Sequence, residues 1–220
     1  MNPNEEFRAQ VRENIEGLAN DPEAKALTNA WIRGISSHGY PYNFEWMGRP
    51  IIQVPQDMVA MQEIIWQVKP DLIIETGIAH GGSLILNASM LALLDMCDAI
   101  ETGSSFDPAM SRRKVLGVDI DIRAHNREAI EAHPMASRIQ MIQGSSIAPE
   151  TIKQVRDAAA GYQKVLISLD SNGVPLNYHR VEDTADGIDT GTVVRAADFG
   201  AAVAMAALRA EAGPIAGATP

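Results

Sequence analysis

Four short apolar runs in this chain each end in residues able to do chemistry. Asp71-Leu-Ile-Ile-Glu-Thr76 runs into Gly77-Ile-Ala-His-Gly-Gly-Ser83; Lys114-Val-Leu-Gly-Val-Asp-Ile120 carries Asp119 near its end, with Asp121 two residues on. Arg138-Ile-Gln-Met-Ile-Gln143 leads into Gly144-Ser145-Ser146, and Lys164-Val-Leu-Ile-Ser-Leu-Asp170 closes on an acid. In the glycine-rich stretch Gly77 permits a tight turn, Gly81 and Gly82 let a ligand approach the backbone, and the free N–H groups of a helix starting at Ser83 can hold an anionic group. His80 lies inside this turn, where it can shape a pocket. Glu75, just ahead of the first glycine, either caps the turn or meets a cationic ammonium. Asp119 can accept both hydroxyls of a ribose, and Ser145 and Ser146 can hydrogen-bond an adenine edge. Asp119 stands 42 residues beyond Gly77, about twice the ~20 of a dinucleotide fingerprint, and the G-x-G-x-x-G order is absent. Pyrophosphate offers Glu75 no ammonium; the methionine end of S-adenosylmethionine (SAM) does.

These residues need elements to bring them to one edge. The four runs are short and rich in branched apolar residues, as expected of strands covered on both faces. Helical patterns lie between them at Ser83 to Met96, Arg123 to Ala132 and Pro149 to Ala160. The last has Ser146 available as a cap, Pro149 in its first turn and Gly161 past its end; Asp121 is placed to cap the helix near Arg123. Alternation of this kind predicts an α/β fold with a doubly wound, mostly parallel sheet, whose ligands bind beyond the carboxyl ends of the strands. Upstream, Val54-Pro-Gln-Asp57 breaks the chain and opens a helix through Val59, Ile64, Ile65 and Val68, ended by Pro70. The aromatic cluster Tyr40-Pro-Tyr-Asn-Phe-Glu-Trp46 either packs over the fold or forms a lid on a pocket. We expect an N-terminal helical and aromatic cap over residues 1–56, the α/β domain over 57–200, and an Ala-rich helix with a frayed tail over 201–220.

Composition narrows the partners. A net charge of −10 argues against a binder of nucleic-acid backbones or anionic membranes. The 46% hydrophobic and 21% charged balance is that of a globular protein. No run reaches the ~18 consecutive apolar residues of a membrane span, the start lacks the apolar core of a signal peptide, and the single Cys97 forms no internal disulfide. The expected location is cytoplasmic.

Taken together, Glu75-Thr-Gly-x-x-His-Gly-Gly-Ser83, Gly117-Val-Asp-Ile-Asp-Ile-Arg123, Gly144-Ser-Ser146 and Leu169-Asp-Ser-Asn172, with Gln53-Val-Pro-Gln-Asp57 upstream, resemble the cephalosporin hydroxylase or rhamnosyl O-methyltransferase family. The resemblance covers about Tyr42 to Asn172 and implies the Rossmann-like fold of class I SAM-dependent methyltransferases. It implies methyl-donor binding at Glu75, Gly77, Gly81, Gly82, Ser83, Asp119, Ser145 and Ser146, with His80 in the same turn. It also implies a divalent metal, often Mg2+, on carboxylates at the ends of the fourth and fifth strands: Asp170 matches the first, and Glu182 and Asp183 the acidic pair. Such a metal would bind a substrate hydroxyl, lower its pKa and aim it at the methyl group.

The chain departs from that pattern in its later part. Eleven residues separate Asp170 from Glu182, whereas a helical crossover between parallel strands needs about a dozen or more. The fourth crossover is therefore expected to be shortened, and the sheet is expected to lack the final strand pair that completes such sheets. Glu182 and Asp183 are either ligands or a solvated acidic turn, and His179, near them, is either a general base or a loop histidine. The expected activity is methyl transfer to a hydroxyl of a sugar, glycolipid or secondary metabolite. The alternatives are a catalytically impaired SAM-binding or assembly module and, third, a hydroxylase-like oxidoreductase. An incomplete sheet exposes a strand edge, so a homo-oligomer is expected.

Overall fold

A computed structural model describes residues 2–108, 110 and 112–169 of the chain. Asp170, His179, Glu182 and Asp183, and the Ala-rich segment, lie outside the described residues.

The backbone contacts separate residues 2–40 from residues 41–169. The first unit is two helices. In α1 (Pro3–Asn20) the Asn2 side chain accepts the Asn4 N–H and the Glu5 carboxylate accepts the Asn2 N–H, a reciprocal cap. Asp21 caps α2 (Pro22–Ser36) by accepting the Glu23 and Ala24 N–H groups, and each helix has proline in its first turn. The two helices touch, yet neither contributes a buried residue. Their order is local, made by caps and propensity. Trp31 meets Tyr40 edge to face, with ring centres 5.9 Å apart.

The second unit opens with an antiparallel hairpin, β1 (Phe44–Trp46) and β2 (Arg49–Ile51), in which Phe44 faces Ile51 and Trp46 faces Arg49. Its two-residue turn is Met47-Gly48 with φ +48° and +80°, the pair of left-handed residues that matches strand twist in tight hairpins. The aromatic segment thus becomes a hairpin with Ile51 in the core. Helix α3 (Pro55–Val68) follows, and stops at Lys69 in the left-handed region ahead of Pro70.

Four parallel strands then form one sheet: β3 (Leu72–Thr76), β4 (Lys114–Asp119), β5 (Ile139–Gln143) and β6 (Val165–Leu169), in the order β5-β4-β3-β6. Each boundary agrees with the sequence expectation to within a residue. The chain adds β4 and β5 on one side of β3 and then returns to add β6 on the other, so the direction of winding reverses at β3. Helices α4 (Gly82–Thr102), α5 (Ala124–Glu131) and α6 (Pro149–Ala159) connect them. Side chains alternate along the strands, as a period of two requires. Ile73 and Val115 join Leu84, Ala88, Leu91 and Leu94 of α4 with Ile65 and Ile130; Leu72, Ile74, Leu116 and Val118 join Val155 and Ala159 of α6. Both faces are covered, which is the doubly wound Rossmann-like arrangement.

Among the described residues α4 is the one helix long and apolar enough to cross a membrane. Its burial against the sheet, with Leu84, Ile85 and Leu91 fully enclosed, makes it the core helix of this fold. Two expected caps are corrected here. Asp121 does not cap α5, whose N-cap is Arg123, and Ser146 does not cap α6, whose N-cap is Ala148; neither helix has a side-chain cap. The reason is one of phase: each proposed cap lies two residues ahead of the N-cap, too early to reach the N2 and N3 amides.

Candidate functional site

The carboxyl ends of β3 and β4 meet at the turn between β3 and α4, and the end of β5 lies beside that of β4. Three of its five residues have left-handed backbone angles: Gly77 at φ +90°, Ala79 at +45° and Gly81 at +84°. The turn is held from the neighbouring strand. Gly77 N–H donates to the Val118 carbonyl at 2.9 Å, and Ile78 N–H donates to Asp119 Oδ2 at 2.7 Å. The other oxygen of Asp119 accepts the Asp121 N–H at 3.1 Å. Asp119 therefore grips the glycine turn, and as a carboxylate with about four acceptor positions it keeps capacity for a further donor.

Glu75 sits below the turn, buried, and faces α4. Its carboxylate accepts hydrogen bonds from Ser83 Oγ and from Asn87 Nδ2, the latter at 2.7 Å. Ser83 thus takes part through its side chain. Asn87 Oδ1, on the same amide group, is buried with no hydrogen-bond partner among the described residues. Helix α4 begins at Gly81 without a side-chain cap, which leaves its first N–H groups to a ligand. An acceptor pair beside unclaimed helix amides fits a group carrying both an ammonium and a carboxylate, as the methionine end of SAM does; a pyrophosphate would use only the amides.

The glycines also answer to packing. A Cβ on Gly82 would collide with the Pro50 carbonyl oxygen of β2, and one on Gly81 would collide with the Ile130 side chain of α5. Close approach of the Pro50 backbone at Gly82, and the left-handed φ with the Ile130 side chain at Gly81, are thus sufficient reasons for glycine apart from any ligand.

Ser145 and Ser146 follow β5 half-buried, next to Gly144, whose N–H donates to the Asp119 carbonyl at 2.8 Å. Neither serine hydroxyl is engaged among the described residues. The His80 ring is half-exposed in the turn, and its carbonyl accepts from Arg49. Sequence reasoning missed Arg49, Asn87 and Asn126, which contact this turn or Glu75, and the exposed apolar side chains Ile120 (72%) and Ile147 (48%) just beyond β4 and β5. Isoleucines following Asp119 and Ser146 were visible in the sequence. Arg49 and Asn126 carried no local signal, because their partners lie 31 and 47 residues away.

A cavity of about 980 Å³ opens at the other edge of the sheet, where the strands begin, among Asp71, Asp95, Asp98, Arg113, Lys114 and Tyr162. Its acids already serve the fold. Asp95 pairs with Arg113 and Arg138 at 2.5 Å each, Asp98 pairs with Arg113 at 2.7 Å, and Asp71 accepts the Gln163 and Lys164 N–H groups. Burial lowers the Arg113 pKa, but its hydrogen bonds to Asp95 and Asp98 outweigh that and leave it above the ordinary value. Among the described residues no three His, Cys, Asp or Glu side chains form a metal-binding group.

Solved structures similar to this chain include CmcI with SAH (17% identity, TM-score 0.38, covering 60% of this chain and 54% of that one). Another is CmcI with Mg-SAM (19% identity, TM-score 0.41, covering 60% and 47%). The chain spans about half the length of these structures. No curated protein matches it significantly. The model of the rhamnosyl O-methyltransferase/CmcI family matches residues 38–182, from before the hairpin through all four strands, and the chain belongs to that family.

Proposed function

We propose that this protein binds SAM at the β3–α4 turn and transfers its methyl group to a hydroxyl of a small acceptor, such as a sugar, glycolipid or secondary metabolite. The observation that carries the reading is the turn itself: left-handed at three positions, gripped by Asp119, placed over Glu75 and an uncapped helix start, in a chain of this family. When bound, SAM supplies an electrophilic methyl on a sulfonium. The α4 amides would hold the methionine carboxylate, Asn87 Oδ1 and the Glu75 charge would favour its ammonium, and the open acceptor positions of Asp119 would take the ribose hydroxyls. Ser145 and Ser146 would bond the adenine edge, with Ile120 and Ile147 offering apolar surface to its faces.

Asp170, Glu182 and Asp183 would hold Mg2+, which suits hard carboxylate ligands, and His179 would take the proton of the acceptor hydroxyl. The family match, which spans residues 38–182, supports this reading. We place the protein in the cytoplasm as a homo-oligomer; sedimentation velocity showing a monomer at every concentration would count against the latter.

Calorimetry with S-adenosylhomocysteine tests the reading. Saturable binding is expected, and no heat at millimolar ligand would remove it. The eleven-residue interval between Asp170 and Glu182 favours a second reading, a SAM-binding module without turnover. In that case Asp170→Ala would leave SAH affinity unchanged, and neither protein would show Mg2+-dependent methyl transfer.

A further inference from the structure

The β1–β2 hairpin also holds the glycine turn, at residues beyond those that Asp119 binds. Arg49 donates from Nε (3.0 Å) and from Nη2 (2.5 Å) to the His80 carbonyl, and Nη2 also reaches Asn126 Oδ1 at 3.1 Å. Asn126, buried in α5, passes the contact on by donating from Nδ2 to the Ala79 carbonyl at 2.8 Å. Two consecutive carbonyls of the turn are therefore anchored by one guanidinium and one amide, from two different elements.

Further contacts fix the hairpin to the same region. Trp46 Nε1 donates to Ser89 Oγ of α4 at 3.0 Å, the His133 ring meets the Met47 carbonyl at 3.0 Å, and the Pro50 carbonyl lies against Gly82. Among the described residues Arg49 forms no ion pair with a carboxylate. The hydrogen bonds it makes go to the turn and to Asn126.

The anchored peptides are the ones that need holding. Ala79 has φ +45°, a conformation disfavoured for any residue with a Cβ, which persists only when its surroundings impose it. Because the carbonyl and the following N–H of a trans peptide point in opposite directions, fixing the Ala79 and His80 carbonyls also fixes the His80 and Gly81 amides. We infer that Arg49, acting with Asn126, is a positioning residue that sets the ligand-binding shape of the β3–α4 turn, so that the hairpin controls cofactor affinity without touching the cofactor. This inference rests on the SAM-binding reading above.

The test is calorimetry of S-adenosylhomocysteine with the full chain as wild type, Arg49→Lys and Arg49→Ala, each also unfolded in urea. Arg49→Lys keeps the charge but loses the fork that spans both acceptors. About tenfold weaker binding at an unchanged urea midpoint is expected, since small misplacements of binding groups cost factors of ~10 to 100. Arg49→Ala should bind more weakly still and recover affinity in millimolar methylguanidinium, which refills the site. Wild-type affinity in Arg49→Lys overturns the inference. So does a loss in Arg49→Ala that methylguanidinium leaves unrepaired, as general damage to the fold would give; if that variant does not fold, Arg49→Lys decides alone. A wild type that binds nothing removes the cofactor reading and this inference with it, whereas equal binding by all three removes only the inference.

Discussion

Gly82 shows how one glycine can answer to a demand that its sequence neighbours do not announce. Its place after a strand reads as a ligand turn, and its lack of a side chain is required by the Pro50 carbonyl, more than thirty residues upstream. A Cβ there meets backbone, which cannot rotate away, so Gly82→Ala should lower stability by about 3 kcal/mol, the upper part of the usual range for overpacking. A urea titration reads this directly, and a midpoint equal to wild type would contradict the packing. Glu75 makes a similar point. Glu75→Ala strips Ser83 and Asn87 of their acceptor and leaves the Asn87 amide buried with neither end engaged by that carboxylate, at a cost of about 3 kcal/mol. Glu75→Gln keeps an acceptor for Asn87 and a donor for Ser83 Oγ, and should cost about 1 kcal/mol. Equal losses in the two variants would show that the hydrogen bonds are not what holds this residue.

At the level of elements, the strands were legible because a buried parallel strand must be a short apolar run. The helix ends were less so. The run Leu-Ile-Ile-Glu-Thr is fully buried, and no other local structure suits it between Pro70 and Gly77. Asp121 and Ser146, by contrast, are good capping types that lie two residues out of phase, a matter of backbone path that residue type cannot encode. Likewise, Phe44 to Trp46 read as aromatic packing or a pocket lid, while the Met47-Gly48 turn that folds them back required a left-handed methionine that sequence alone does not announce. The places of Glu75, Asp119, the turn glycines and Ser145-Ser146 along one edge of the sheet were legible, since they follow the ends of apolar runs. The residues that hold the turn were not, because Arg49 and Asn126 reach it only after the hairpin and α5 are in place. The missing cap gives its own prediction. Ala148 has the extended angles of an N-cap (φ −76°, ψ 135°) with nothing to offer α6. Ala148→Asp should add about 1 kcal/mol by accepting from the first amides and by placing negative charge at the helix start. A thermal melt that moves down rather than up would overturn it.

Across the whole molecule the two edges of the sheet are built for different tasks. The carboxyl edge carries glycines, an uncapped helix start and acceptors left open; the amino edge is cross-linked by charge around its cavity, with Arg113 and Arg138 binding Asp95 and Asp71 fixing the start of β6. Tyr162 belongs to the amino edge, and burial, helped by the nearby Asp71 charge, raises its pKa above the ordinary tyrosine value of about 10. The sign of the consequence follows from proton binding. Near pH 10 the unfolded chain begins to release this proton while the folded chain still keeps it, so ionisation favours the unfolded state. The contribution of Tyr162 is thus fully present below about pH 10 and is lost as pH rises through its elevated folded value. Phenylalanine has no proton to lose. Urea midpoints measured from pH 8 to pH 11 should fall less steeply for Tyr162→Phe than for wild type at the alkaline end, with the difference between the two proteins constant below pH 9. Parallel curves throughout would mean that this phenol titrates alike in both states, and that the amino edge is more open to water than its packing implies.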